Sequence, residues 1–324
     1  MKRLGALSSI VTALIMFLGC GAGVAQTYPG KPVKVVVGFA AGGGTDIIAR
    51  VVSQKLSENL GQQFVVDNKP GGGTTVGSVM VAKSPPDGYT LLAVSSSYAT
   101  SASLYGNLAF DPQKDLVPVV EICIIPFALI SHPSFPAKSV AELIALAKST
   151  PGKLNYASSG VGGQGHLGGE LFKAMANIDI VHIPYKGGAP ALTDVVGGRV
   201  PLAVIDLTSS LQYLNAGQLR ILAVTSEKRA KALPSAPTIN ESGLAGYSFS
   251  TWVGLMAPAN TPQDVIQKLN AEVNKVIRMP DVEQRFAAQA AESVGGPPEQ
   301  FAALIQSEIG RWKKVVRDGN IRVE

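Results

Sequence analysis

The sequence predicts a two-lobe α/β fold in which two strands cross between the lobes and a ligand cleft lies between them. Three observations predict it. Short β-branched strands alternate with loops and helices, the pattern of a parallel sheet covered on both faces. Four glycine-rich loops, at 39–46, 68–73, 158–166 and 186–190, stand at strand-to-helix junctions, two in each half. Two longer apolar, β-rich runs, 119–131 and 249–256, bracket the second half, so that it is inserted into the first through two connections. In open α/β sheets a ligand sits outside the carboxyl ends of the strands, which in this arrangement is the gap between the lobes.

The chain has 324 residues, enough for two ordinary domains, and 46% of them are hydrophobic, which excludes a disordered protein. Residues 1–25 have the form of a secretory signal. Lys2 and Arg3 open it, 10–18 supply an apolar core too short to span a bilayer, and Gly23-Val24-Ala25 places small residues before a cut at Gln26. Cys20 raises lipidation, but Phe17-Leu18-Gly19 is a poor lipobox. Removing Lys2 and Arg3 lowers the net charge from +5 to +3, too little and too dispersed for nucleic acid. The cut also leaves Cys123 as the one thiol, in the apolar run Ile122 to Ile125, so it reads as a core cysteine. No later segment is long and apolar enough to cross a membrane. The expected product is an exported, soluble monomer.

The first lobe, 26–125 with 248–324, opens on a strand at 33–37 and the loop Phe39-Ala40-Ala41-Gly42-Gly43-Gly44-Thr45-Asp46. An apolar period at Ile47, Ile48, Val51, Val52, Leu56 and Leu60 then predicts a helix with Thr45 or Asp46 as its N-cap, stopped by Gly61. A strand at 64–67 leads through the second glycine loop to a helix capped by Thr74 or Thr75 and ending near Lys83. The turn Pro85-Pro86-Asp87-Gly88 precedes a strand at 89–94 with the polar tip Ser95-Ser96-Ser97. Residues 111–118 read as a linker, and 119–131 as the first crossing strand.

The second lobe, 126–247, starts with a capping box at Ser139-Val140-Ala141-Glu142 and a helix to Lys148. Strands at 154–157, 180–185, 200–205 and 219–225 follow. The third glycine loop, Ser158 to His166, enters a helix to about Ala176, and the fourth, at Lys186-Gly187-Gly188, a helix ending near Gly197. Asp206 ends its strand, and Thr208, Ser209 or Ser210 starts a short helix. The crossing back at 249–256 is followed by Thr261-Pro262, read as an N-cap with Pro at N1, and by helices to about 279, at 281–290 and at 298–316 that brace the first lobe.

A glycine loop entering a helix exposes backbone N–H groups at the positive end of the helix dipole, an anion site that needs no charged side chain. None of the four loops contains arginine; Arg50, inside the first helix, is the nearest. An anionic ligand must therefore be held by helix N-termini and by the hydroxyls of Thr45, Thr74, Ser95, Ser96, Ser158 and Ser159. His166 could donate to a carboxylate or face water, and Lys186 could pair with an anion or be solvated. Asp46 and Asp206 read first as helix caps; a capping carboxylate can also accept a bond from a ligand or a bridging water. A nucleotide site is excluded, because 39–46 is neither G-x-G-x-x-G nor a P-loop. There is no G-x-S-x-G elbow, H-E-x-x-H, cysteine pair or Asp-rich loop, so neither catalysis nor a metal or other cofactor is expected. An exported α/β hydrolase and a sensor reporting to a signalling partner stand as alternatives.

The chain resembles the extracytoplasmic solute receptors of tripartite tricarboxylate transporters, the Bug (TctC-type) family. The resemblance rests on Tyr28-Pro29 to Lys34, the loop Phe39 to Asp46, Asn68-Lys69-Pro70-Gly71-Gly72 and Pro86-Asp87-Gly88-Tyr89-Thr90-Leu91. It continues through 156–167, Tyr185-Lys186-Gly187, 219–225, Pro237-Thr238-Ile239 and 252–258. It implies a Venus-flytrap receptor of the periplasmic binding protein type, a small carboxylate as ligand and membrane permease subunits as partners. It also implies a grip made by backbone amides, hydroxyls and water at Phe39, Ala41, Gly42, Gly43, Thr45 and Asp46 in the first lobe. In the second lobe the implied positions are Ser158, Ser159, Gly163, His166 and Asp206. Val204-Ile205 before Asp206 and the tip Ser95-Ser96-Ser97 depart from the residues common in the family.

Overall fold

The computed structural model describes residues 28–318, apart from Ala40, Gly106, Asn107 and Lys186. The expected signal segment, Cys20 and Lys186 therefore lie outside the described residues.

Two sheets share one strand. Strands β1 (Val33–Val37), β2 (Phe64–Asn68) and β3 (Thr90–Ser95) run parallel in the order β2-β1-β3. The sixteen-residue strand β4 (Leu116–Ser131) belongs to both sheets. Strands β5 (Asn155–Ser158), β6 (Val181–Pro184) and β7 (Leu202–Asp206) form the second parallel set, with β7 antiparallel to β4. β8 (Arg220–Val224) pairs with β4 over Ala128–Ser131, and β9 (Ser250–Pro258) joins β3 to β4. Along β4 the pairing with β9 ends at Pro126 and the pairing with β7 starts at Phe127. Two sheets, two parallel sets and a shared strand give the two-lobe α/β fold that the alternation predicts. The first crossing strand starts at Leu116, inside the expected linker.

Helices cover both faces. In the first lobe these are α1 (Gly44–Leu60), α2 (Thr75–Ala82) and α3 (Ser97–Leu104). The second holds α4 (Val140–Ser149), α5 (Gln164–Ala176), α6 (Gly188–Val196) and α7 (Leu207–Asn215). After the return come α8 (Gln263–Val276), α9 (Pro280–Ala287) and α10 (Pro298–Asp318). α1 closes as expected, with Gly61 left-handed at φ +69° and its N–H on the Ser57 carbonyl. α4 has its capping box: Ser139 accepts the Glu142 amide, and Glu142 reaches back to the Lys138 amide. α3 carries no apolar stripe and was not foreseen. α8 starts one residue later than expected, with Pro262 at the N-cap, because the Thr261 hydroxyl turns back to the Pro258 carbonyl at 2.8 Å. A two-residue strand, β10 (Glu292–Ser293), pairs with β4 and was not foreseen.

One apolar cluster packs α1, α8 and α9 on the first sheet through Ile48, Val52, Leu56, Leu269, Val273 and Phe286. Another is continuous across both lobes and includes Leu92, Phe127, Tyr156, Phe172, Phe249 and Trp312. Trp312 of α10 meets Phe249 edge-on at 5.5 Å, so the last helix braces the crossing as well as the first lobe. Cys123 is fully buried and free, and burial pushes its thiol well above the usual range. Glu121 on β4 is 6% exposed, and burial, then the nearby Glu308 of α10, push its carboxyl up to about 7.

Candidate ligand-binding site

The first loop leaves its helix uncapped. α1 begins at Gly44 with Gly43 at the N-cap, and no side chain caps it. Its first backbone bond runs from the Ile47 amide to the Gly43 carbonyl at 2.9 Å, so the amides at Gly44, Thr45 and Asp46 have no partner within the helix. Ala41, Gly42 and Gly43 are exposed, and Gly42 sits at φ +86°, a conformation that favours glycine. Phe39 and Thr45 are half-buried beside them.

Neither expected N-cap, Thr45 or Asp46, caps the helix, because it starts earlier, at Gly44 behind Gly43; Asp46 occupies the third helical position and braces the loop. Its Oδ2 accepts the Gly42 amide and Arg50 Nε, both at 2.9 Å, and its Oδ1 accepts Asn68 Nδ2 at 2.8 Å. Asn68 also donates to the Phe39 carbonyl and accepts from Arg50. Burial raises the Asp46 carboxyl, but its bonds to Arg50, Gly42 and Asn68 outweigh that and hold it below the ordinary carboxylate range. At 2% exposure the carboxylate is committed to the loop.

The other first-lobe candidates fall into two groups. Thr74 is a left-handed residue at φ +86° between a short 3-10 turn, Gly72–Thr74, and α2. A β-branched residue there is strained. Ser95 ends β3, with its Oγ accepting the Ser97 amide at 3.2 Å. Ser96 is fully buried, and its hydroxyl meets Thr251 Oγ1 at 2.6 Å, tying β3 to the crossing strand β9.

The third loop repeats the first. α5 begins at Gln164, Gly163 is its N-cap without a side-chain cap, and the first backbone bond is Leu167 to Gly163 at 3.0 Å. The amides at Gln164, Gly165 and His166 thus lack helical partners. Gly165 has to be glycine, since a Cβ there would lie 2.2 Å from the Val204 carbonyl oxygen of β7. His166 stands third in its helix, and its Nδ1 accepts the Gly162 amide at 3.0 Å. Burial, more than its neighbours, lowers its pKa. Ser159 is half-buried above this network. Gln164 Nε2 reaches Thr100 Oγ1 of α3 at 3.4 Å, a contact between the mouths of the two lobes.

Beneath the loop, Ser158 Oγ lies 2.7 Å from His182 Nε2. The pair has the form of a nucleophile and base, yet Ser158 is fully buried, and burial, then His166, lower the His182 pKa to about 3. So weak a base does not take a serine proton at neutral pH. His182 follows no motif and sits mid-strand, which is why the sequence assigned it no role. Asp206 caps α7, as expected for one of its two readings: Oδ1 accepts the Ser209 amide at 2.8 Å. Its Oδ2 makes no hydrogen bond among the described residues. No group of His, Cys, Asp and Glu among the described residues could hold a metal ion.

Residues 48–321 match the family model of the tripartite tricarboxylate transporter family receptor, TctC. The chain is 37% identical to protein BugT of Bordetella pertussis over 321 residues, 98% of each chain. Among solved structures it is similar to Rpa4515 of R. palustris with adipate, at 38% identity and a TM-score of 0.79, over 91% of this chain and 99% of that one. It is also similar to MatC of Rhodopseudomonas palustris with bound malate, at 32% identity and a TM-score of 0.75, over 89% and 100%. On a family model covering most of the chain and on relatives of nearly equal length, the chain belongs to the tripartite tricarboxylate transporter receptors of the Bug (TctC) type.

Proposed function

We propose that this receptor works in the periplasm as a monomer, captures a small organic carboxylate between its lobes, and delivers it to membrane permease subunits without catalysis. The observation that carries the reading is the pair of uncapped helix N-termini, Gly44–Asp46 and Gln164–His166, each behind an exposed or half-exposed glycine loop. Each such charge–dipole contact contributes about 0.3–2 kcal/mol. Several together with charge-assisted hydrogen bonds reach micromolar binding, about 8 kcal/mol. The adipate and malate bound by the two similar receptors support a carboxylate as the ligand class.

In this reading the lobes comprise 26–125 with 248–324, and 126–247, and 1–25 is removed on export. Phe39, Ala41, Gly42, Gly43 and Thr45 line the ligand from the first lobe with Thr74 and Ser95; Ser159, Gly163 and the second oxygen of Asp206 face it from the second. Asp46, Ser96, Ser158 and His166 act by holding those groups in place. A thermal-shift screen of residues 26–324 against adipate, malate, citrate and their neutral amides tests the reading. A ligand at about a hundred times its Kd stabilises by roughly 2.7 kcal/mol. Shifts from acids without shifts from amides are expected; no shift from any acid, in protein freed of carried-over ligand, would overturn the carboxylate assignment.

A further inference from the structure

We propose that His166 and His182 form a neutral positioning pair that sets the shape of the 158–163 loop, and that the loop is released when the pair takes up a proton. The inference deepens the proposed receptor function, since it concerns the second-lobe half of the same site.

The rings are stacked, 3.8 Å between centroids and 9° from parallel. Each ring holds one end of the loop. His182 Nε2 meets Ser158 Oγ, which also accepts the Gly160 amide at 3.3 Å, and His166 Nδ1 accepts the Gly162 amide. That last bond fixes the tautomer, because an N–H donor needs a lone pair on Nδ1, so the His166 proton is on Nε2. Protonating Nδ1 sets two donors face to face and breaks the bond.

The surroundings favour the neutral rings. On α5, Glu170 is the nearest carboxylate, 3.9 Å from His166 Nε2, but Lys173 already pairs with both its oxygens at 2.9 and 3.0 Å. From β5, Tyr156 packs on His182 and donates to Glu170 at 3.0 Å. Tyr247, ahead of β9, donates to the Gly168 carbonyl, and Arg311 of α10 borders the groove that Glu170 and Lys173 line. A positive charge in the stack thus meets Lys173, while Glu170, the neighbour that favours it, is already paired. Burial lowers both histidine pKa values in the same direction. A neutral acceptor at position 166 also spares the ligand's carboxylate the repulsion that a second Asp would bring.

Amide hydrogen exchange of the ligand-free protein and calorimetry with adipate test this. At about pH 7, Gly162 should exchange at least about ten-fold more slowly in wild type than in His166→Ala. Titration from about pH 7 down to about pH 3 should remove that protection, relative to intrinsic exchange, in wild type but not in His166→Asn. The asparagine is a fair rescue, since Asp46 shows that so short a side chain reaches the equivalent amide. His182→Phe should keep the stack, leave the Gly160 amide on Ser158 Oγ, which also donates to the Gly160 carbonyl, and preserve the Gly162 protection. Adipate affinity should fall with acid more steeply in wild type than in His166→Asn, a difference that cancels protonation of adipate itself. Equal Gly162 protection in wild type and His166→Ala, or an equal acid response in His166→Asn, would overturn the pair. Wild type that binds no adipate counts against adipate as the ligand, not against the pair, because the exchange data still decide the pair.

Discussion

Asp46 and His166 hold the same post in the two lobes. Each is the third residue of its helix, and each accepts the amide four residues earlier, Gly42 at 2.9 Å and Gly162 at 3.0 Å. The geometry is that of a capping box turned to a new use: the side chain shapes the loop ahead of the helix and leaves the first helical amides open. The charges differ. Asp46 is an anion neutralised by Arg50, whereas His166 is neutral.

Asp46→Ala should destabilise the protein by about 1–3 kcal/mol, because Gly42, Asn68 and Arg50 all lose a partner. Chemical denaturation at about pH 7 measures it. The Asp46 pKa lies below its unfolded value, so its contribution is complete above the unfolded pKa of about 3.9 and fades as pH falls through the folded one. Wild type and variant should therefore converge in stability at acid pH.

Gly43→Val should abolish carboxylate binding while the melting temperature stays within a few degrees of wild type. The Gly43 backbone, at φ −78° and ψ 163°, suits valine, so the change adds bulk at the loop without backbone strain. Normal affinity by calorimetry would remove the first loop from the site.

Asp206 needs two variants, because it caps α7 through one oxygen. Asp206→Ala should cost about 0.5–2 kcal/mol of stability from the lost cap. Asp206→Asn keeps an acceptor for the Ser209 amide, and any several-fold loss of ligand affinity in it reports on the second oxygen. Unchanged affinity in Asp206→Asn would leave the residue a cap only.

Glu121→Gln should stabilise the protein at about pH 8, by roughly 1–3 kcal/mol, and do little at about pH 4. The folded pKa, about 7, is above the unfolded one, so stability is full below the unfolded value and is lost as pH rises through the folded value. Paired melting curves at the two pH values check the sign.

Much of the fold was legible because hydrophobic period and punctuation agree. Gly61, Ser139 with Glu142, and the β-branched runs of β1 and β4 each announce an element by its own chemistry. What escaped was set by neighbours. α3 has no stripe because Tyr98, Ala99, Thr100 and Ser101 are buried together, and β10 exists only because β4 offers it an edge. In the site, the glycine loops showed in the sequence, but the roles of their polar residues did not. Asp46 looked like a cap until Arg50 and Asn68 closed on it, and Ser96 looked like a polar tip until Thr251 covered it. His182 lies on β6 and His166 on α5, and it is the stacking of one beneath the other that joins them.

β4 changes partners across a single peptide, from β9 at Pro126 to β7 at Phe127, without a break in the strand. A strand clamped at both ends resists stretching far more than twisting, so it acts as a torsion bar. A change in the angle between the lobes would fall on the backbone around 126–127 and where β9 begins, since there the chain passes from one sheet to the other. Such a change would move the mouth of the cleft more than the floor beside β4.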